Sequence, residues 1–227
     1  MAVFVKEYEC TTALWDKVYN QYDLEDLTDL ELSVEPTFDA CLHIFSQHAE
    51  RVMDFGCGTG DILFQCAQYG HLFYGIGIDR SEVGIQFGKN MANLNHFRQL
   101  DFVVGDLSHI VQMEEESFDG IILSNILDVM PKQNADAIMM ELTRLLKKDG
   151  LMFIKLNPYE TDNRLSELGL ICFQDNLYEK DGFLRLRRLD TKEWINEFEH
   201  NFIIERYLEF PYPWQEGMNR LFLLRKR

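Results

Sequence analysis

At 227 residues, 46% of them hydrophobic, the chain has enough apolar side chain for one sizeable core, or one domain with a modest appendage. Lys and Arg number 22 against 38 Asp and Glu, a formal charge of −16 that repels phosphate backbones and argues against nucleic acid as a partner. No apolar run reaches the roughly 20 residues of a bilayer span, the start lacks a signal peptide's basic and apolar regions, and five cysteines without a C-x-x-C pair suggest neither disulfides nor zinc; a cytoplasmic monomer or homodimer without a metal is expected.

Residues 1–34 are predicted to form one or two helices ahead of the core, with Trp15, Val18, Tyr19 and Tyr22 on one face at spacings of three and four. That stripe is either packing or a lid, and the acidic run from Asp23 to Glu35 reads as solvated surface. A helix over Phe38–Glu50 then leads into Arg51-Val52-Met53-Asp54-Phe55-Gly56-Cys57-Gly58-Thr59-Gly60-Asp61, which reads as strand, glycine loop and helix start. Such a loop points backbone N–H groups into a crevice at the carboxyl end of a sheet. Asp61 stands where the third glycine of the dinucleotide fingerprint would fall, and Asp54 would repel a pyrophosphate but accept a hydrogen bond from an ammonium, so the spacing disfavours NAD.

A second apolar run, Leu72 to Asp79, ends in a carboxylate about 20 residues past the glycine loop, where it can accept both hydroxyls of a ribose or cap the next helix. After a helix over Glu82–Asn95, the run Phe102–Leu107 reads as the third strand and also ends in a carboxylate, Asp106, suited to an adenine amino group. The run Phe118–Asn125 is apolar at its centre, as in a strand covered on both faces, and is followed by a helix over Lys132–Lys147, a turn at Lys148-Asp149-Gly150 and a fifth strand over Leu151–Leu156. Strand and helix alternate through 51–156, which argues for a doubly wound, mostly parallel sheet in an α/β fold. Beyond it, residues 159–190 hold an added β-hairpin made of Leu170–Phe173 and Phe183–Arg188, and Arg185 and Arg187 share one face of the latter strand, where they could bind an anionic group.

Four polar strand ends therefore meet at one sheet edge: Asp54 with its glycines, Asp79, Asp106, and Ser124 with Asn125. This set resembles the motifs of the class I S-adenosylmethionine-dependent methyltransferases, including Phe118-Asp119 at the start of the fourth strand and Leu145 to Leu151 before the fifth. The resemblance implies a seven-stranded, Rossmann-like sheet, with Phe202–Phe210 and Arg220–Leu224 as its final pair and the last strand antiparallel. It implies a lid over 1–34, a methyltransferase domain over 35–227 and S-adenosyl-L-methionine as cofactor. Gly56, Cys57, Gly58 and Gly60 would border the methionine portion and Asp54 its ammonium; Asp79, with Arg80 beside it, would take the ribose, and Asp106 with the Leu107 N–H the adenine. Ser124 and Asn125 would line the floor near the sulfonium. The expected reaction is in-line methyl transfer to a small molecule, positioned by Trp15, Tyr19, Tyr22, Arg185 and Arg187, with Asp128, Tyr19 and Tyr22 as candidate bases. Methylation of a protein side chain, or cofactor binding without catalysis, are the alternatives.

Overall fold

The alternation seen in the sequence is realised as a seven-stranded sheet in a computed structural model, which describes the backbone of residues 2–227 and the side chains of residues 11–227. Helix α1 (Ala2–Tyr19) precedes an irregular acidic stretch, and α2 (Pro36–Ser46) starts where the Glu35 carboxylate accepts the Thr37 and Phe38 N–H groups and Pro36 occupies the first turn. There follow β1 (Arg51–Phe55), α3 (Asp61–Gln68), β2 (Tyr74–Asp79), α4 (Glu82–Leu94), β3 (Leu100–Val104), the single turn α5 (Leu107–Ile110), β4 (Phe118–Ser124), α6 (Lys132–Leu145) and β5 (Leu146–Leu156). The chain continues through α7 (Asp162–Leu168), β6 (Ile171–Gln174), β7 (Leu177–Lys180), β8 (Phe183–Arg187), α8 (Thr191–Phe198), β9 (Phe202–Pro211) and β10 (Met218–Lys226).

The sheet order is β3-β2-β1-β4-β5-β10-β9. Strands β1 to β5 are parallel, and β10 runs antiparallel between β5 and β9. The order reverses between β1 and β4, which opens a crevice at the carboxyl ends of those strands. Alternation along the central strands feeds two apolar layers. Val52, Ile122, Leu151 and Phe153 pack with Phe38, Leu42, Phe45 and Leu63, while Met53, Ile121, Met152 and Ile154 pack with Ile138, Leu142, Trp194 and Phe198. With both faces covered, the central strands need near-continuous apolar sequence.

A single helix precedes the core, within the expected one or two, and residues 22–30 tie back to the core by hydrogen bonds, Leu27 N–H donating to Asn95 Oδ1 at 2.6 Å. Other boundaries differ from the expectation. Strand β3 covers Leu100–Val104 and not Phe102–Leu107, so Asp106 lies past its end. The helix α2 ends at Ser46, with Ala49 buried beyond it. Strand β5 starts at Leu146, five residues early, and the intervening Asp149 takes a left-handed φ of 61°. The predicted hairpin is a three-stranded antiparallel sheet, since β6 and β8 each pair with an intervening β7 and not with each other. The second turn there is the expected Asp181-Gly182, both residues at positive φ, but the first, at Asp175 (φ 43°), carries no glycine to announce it.

Candidate active site

The crevice is built on the glycine loop between β1 and α3. Gly56 and Cys57 donate their N–H groups to the Ile78 carbonyl at 2.7 and 3.2 Å, latching the loop to β2. Gly60, the residue before α3, has a φ of 91°, and a Cβ on it would meet Phe102 Cζ at 2.6 Å. Left-handed strain and overlap with a packed ring add, so Gly60→Ala is expected to cost about 2–3 kcal/mol in urea unfolding. A loss below about 0.5 kcal/mol would mean that the loop relaxes without the ring.

Beneath the loop the Asp54 carboxylate is fully buried, and its Oδ1 has no hydrogen-bond partner. Burial pushes its pKa well above the usual carboxylate range, and repulsion from Asp79 and Asp61 adds to this. Asp79 sits at the end of β2 and bridges two elements: Oδ2 accepts the Gly58 N–H at 2.9 Å and Oδ1 the Ser81 N–H at 2.8 Å. Burial raises its pKa, opposed by those same N–H groups. The Arg80 backbone N–H also bonds the Asp79 carboxylate, and since a carboxylate has about four acceptor sites, some capacity is left for a hydroxyl in the crevice. Arg80 follows, half-buried at the same edge.

Past β3, Asp106 caps α5. Its Oδ1 accepts the Ser108 N–H at 2.9 Å and the Ser108 hydroxyl at 2.7 Å, contacts that hold its pKa below the ordinary value. The carboxylate is thus oriented by Ser108, and Leu107 opens the short helix. At the end of β4, Ser124 and Asn125 are half-buried, and Asn125 adopts a left-handed φ of 56°. Its N–H donates to the Lys155 carbonyl at 2.9 Å, and its Oδ1 accepts from Lys155 Nζ at 2.7 Å.

Asp128 lies deeper than a base that touches substrate. It is fully buried in a 3-10 turn, Leu127–Val129, and Oδ2 accepts the Asn157 N–H at 2.6 Å. Two buried cations at the ends of β5 and β10, Lys155 and Arg220, feel its charge. Lys155, Asn219 and Arg220 went unread in the sequence, though Lys155 interrupts the otherwise apolar run Leu151–Leu156, which was the available signal.

Helix α1 packs against both α4 and β8. Asp16 anchors it: Ser81 Oγ donates to Asp16 Oδ1 at 2.5 Å and accepts the Gly84 N–H at 2.9 Å. Tyr19 lies directly over the glycine loop, where a Cβ on Gly58 would meet its Oη at 2.6 Å. Burial, then repulsion from Asp79, pushes the Tyr19 phenol far above its ordinary range, which keeps the hydroxyl protonated. Trp15 stacks on Tyr19 at 5.8 Å, and Tyr22, past the end of the helix rather than on its face, tilts against Tyr19 at 6.2 Å. Both are nearly half exposed.

The two arginines of β8 part company. Arg187 is buried, pairs with Glu197 through both terminal nitrogens (3.2 and 3.4 Å), donates to the Leu127 carbonyl and lies over the Trp194 ring. Its guanidinium therefore joins α8 to the sheet and has no free fork for a substrate anion, which corrects that expectation. Arg185 is half-buried with Nε unpartnered.

A reversed strand between β5 and β9, a glycine loop after β1 and carboxylates at the ends of β1, β2 and beyond β3 together define the class I methyltransferase fold. Residues 46–197 match the family described as "Methyltransferase domain", more than half of the chain, and the protein belongs to that family. Among curated proteins it is 31% identical over 140 residues to a protein-lysine N-methyltransferase of Saccharomyces cerevisiae, covering 56% of this chain and 57% of that one. It is 29% identical over 116 residues to a sterol 4-C-methyltransferase of Caenorhabditis elegans, covering 49% of this chain and 34% of the relative. The chain thus spans well under two thirds of the length of these relatives. Among solved structures, a 1,6-didemethyltoxoflavin-N1-methyltransferase of Burkholderia thailandensis, with its substrate and S-adenosylhomocysteine bound, superposes with a TM-score of 0.69 at 20% identity, over 96% of this chain and 89% of that one. An S-adenosylmethionine-dependent methyltransferase of Methanosarcina mazei gives 0.67 at 18% identity, over 86% and 99%. At these identities the likeness concerns the fold. Among the described residues no helix is long and apolar enough to cross a membrane.

Proposed function

We propose that the protein is an S-adenosylmethionine-dependent methyltransferase acting on a small-molecule acceptor. One observation carries the cofactor reading: Asp54 Oδ1 is buried without a partner beneath a glycine loop, in a crevice flanked by Asp79. An unpaired buried carboxylate is costly, and an amino-acid ammonium would satisfy it. The residues fit the cofactor in other respects too. Asp79 would accept from ribose hydroxyls, the carboxylate of Asp106, held by Ser108 through Oδ1, would accept from the adenine amino group, and the positive-φ glycines leave the loop's N–H edge without side chains.

When bound, the cofactor supplies an electrophilic methyl group on a sulfonium, a leaving group that needs little assistance. The protein's own part is to position and to exclude water. Ser124 and Asn125 form the floor at the end of β4, Tyr19 closes the loop side, and α1 against β8 closes the acceptor side. That roof favours a small acceptor over a protein segment. The yeast relative supports protein-lysine methylation as the second reading, in which a lysine chain would thread beneath α1. Incubation with methyl-labelled cofactor and, separately, a metabolite extract and a protein extract discriminates the two by where the label appears.

The acidic crevice makes cofactor binding pH-dependent. Asp54 titrates well above the usual carboxylate range in the free protein, and an adjacent ammonium favours its ionised form. Binding therefore releases a proton wherever Asp54 is protonated beforehand. Affinity rises with pH up to the raised Asp54 midpoint and then levels. Calorimetry of S-adenosylhomocysteine in buffers of different ionisation enthalpy counts that proton; uptake, or no exchange across the acid range, would remove Asp54 from the ammonium's side.

A further inference from the structure

In a protein of charge −16, the carboxyl end of β5 holds a buried cation that makes no ion pair among the described residues. Lys155 is on the face of β5 that carries Leu151 and Phe153, one residue from the strand's end. Its side chain is 1% exposed. An ammonium has three donors, and one is engaged, by Asn125 Oδ1 at 2.7 Å. The ammonium lies over the Tyr212 ring at 4.9 Å, and that ring stacks on Trp214 at 4.7 Å. Among the described residues no carboxylate forms an ion pair with Lys155. Asp128 acts on it only at longer range and serves Arg220 as well.

A second orphan stands beside it. Asn219 is 0% exposed, and neither its Oδ1 nor its Nδ2 has a partner. Lys155 pairs with Leu221 across β5 and β10, so Asn219, two residues earlier, is on the same face and is its diagonal neighbour, about 7–8 Å away. A lysine with donors to spare and an amide with none of its bonds made sit at the end of β5 and the start of β10, adjacent to Asn125 at the end of β4. These groups lack an oxygen acceptor carrying negative charge.

We propose that Lys155, presented by Asn125 and Tyr212 with Asn219 alongside, is an anion subsite for the methyl acceptor, so that the substrate carries a carboxylate or an ionised hydroxyl. The inference rests on the small-molecule reading above and narrows it. It also gives the enzyme a way to hold an acidic hydroxyl in its ionised, nucleophilic form, since a fixed cation stabilises the anion before the methyl group is transferred. The hydroxyl proton leaves to solvent, its electron pair forms the bond to the methyl carbon, and the pair of the broken carbon–sulfur bond stays on sulfur.

Burial lowers the Lys155 pKa to about 8, with Asp128 opposing, so its titration is observable. The test is NMR of the full chain labelled at lysine Cε, loaded with S-adenosylhomocysteine, with the Lys155 signal assigned by its loss in Lys155→Arg. The midpoint is measured alone, with formate, and with 4-nitrophenol, whose ionisation is also read by absorbance. A bound anion must raise the midpoint by about 0.5 unit or more, a threefold gain in proton affinity, by reciprocal linkage. A rise with formate identifies a carboxylate; a rise with 4-nitrophenol, together with increased ionisation of the phenol that is absent in Lys155→Met, identifies a hydroxyl. An unchanged midpoint with both probes overturns the proposal. Calorimetry of S-adenosylhomocysteine on the same sample reports separately on the cofactor reading, because a protein that does not bind it still yields a Lys155 titration.

Discussion

Asp79→Ala is expected to weaken S-adenosylhomocysteine binding tenfold or more, at least about 1.4 kcal/mol, in calorimetric titration. The carboxylate accepts the Gly58 and Ser81 N–H groups, which ties the glycine loop to the first turn of α4, and in the proposed function it would also accept from the ribose. Losing it leaves both N–H groups without their side-chain acceptor and frees the loop from the helix that fixes its height. Its raised pKa shows that the free protein holds this carboxylate at some electrostatic cost, so the variant regains a little stability that partly offsets the lost bonds. Circular dichroism should therefore show a folded protein, which makes the affinity loss interpretable. An affinity unchanged within twofold would mean that the end of β2 does not face the cofactor.

Asp128→Asn is expected to cost about 3 kcal/mol of unfolding free energy, and about 6–12 °C in Tm for a chain of this size. The asparagine can still accept the Asn157 N–H, so backbone hydrogen bonding survives. What disappears is the negative charge shared by two buried cations, Lys155 and Arg220. Arg220 keeps its bonds to the Asn157 and Leu189 carbonyls but not its counter-charge. Lys155→Met in the same background removes one uncompensated cation and should recover part of the loss. A single-variant cost below about 1 kcal/mol would show that water or side-chain movement already screens the cluster.

The strand-end part of the proposed site was readable because it is local. Asp54, the glycines and Asp79 occupy strand ends whose positions follow from short apolar runs, and β1 forms over Arg51–Phe55 as expected. The cluster around Lys155 was not, because it is assembled across long sequence separations. Asn125, Lys155, Tyr212 and Asn219 converge only once β10 inserts beside β5, and no spacing within a window of twenty residues records that pairing. Arg187 shows the reverse failure: alternation along β8 put it on one face with Arg185, but the pairing slips there, Tyr178 facing Leu186 and Glu179 facing Leu184, and Glu197 and Trp194 engage the Arg187 guanidinium. The middle strand β7 was missed because four residues, Leu177–Lys180, are too few to establish a period of two.

The position of β10 bears on how the chain is made. It follows β9 in sequence yet lies inside it, bonded on one side to β5 and on the other to β9. During synthesis on the ribosome, β1 to β5 can emerge and pair in turn, but the outer edge of β5 must wait for more than sixty further residues. Through that interval a long apolar strand presents unpaired N–H and C=O groups, a surface to which another nascent chain could add. Closure thus comes late relative to the pairing of β1 to β5. Yield in cells should depend on holdase chaperones that cover the β5 edge more than on the stability of the finished sheet.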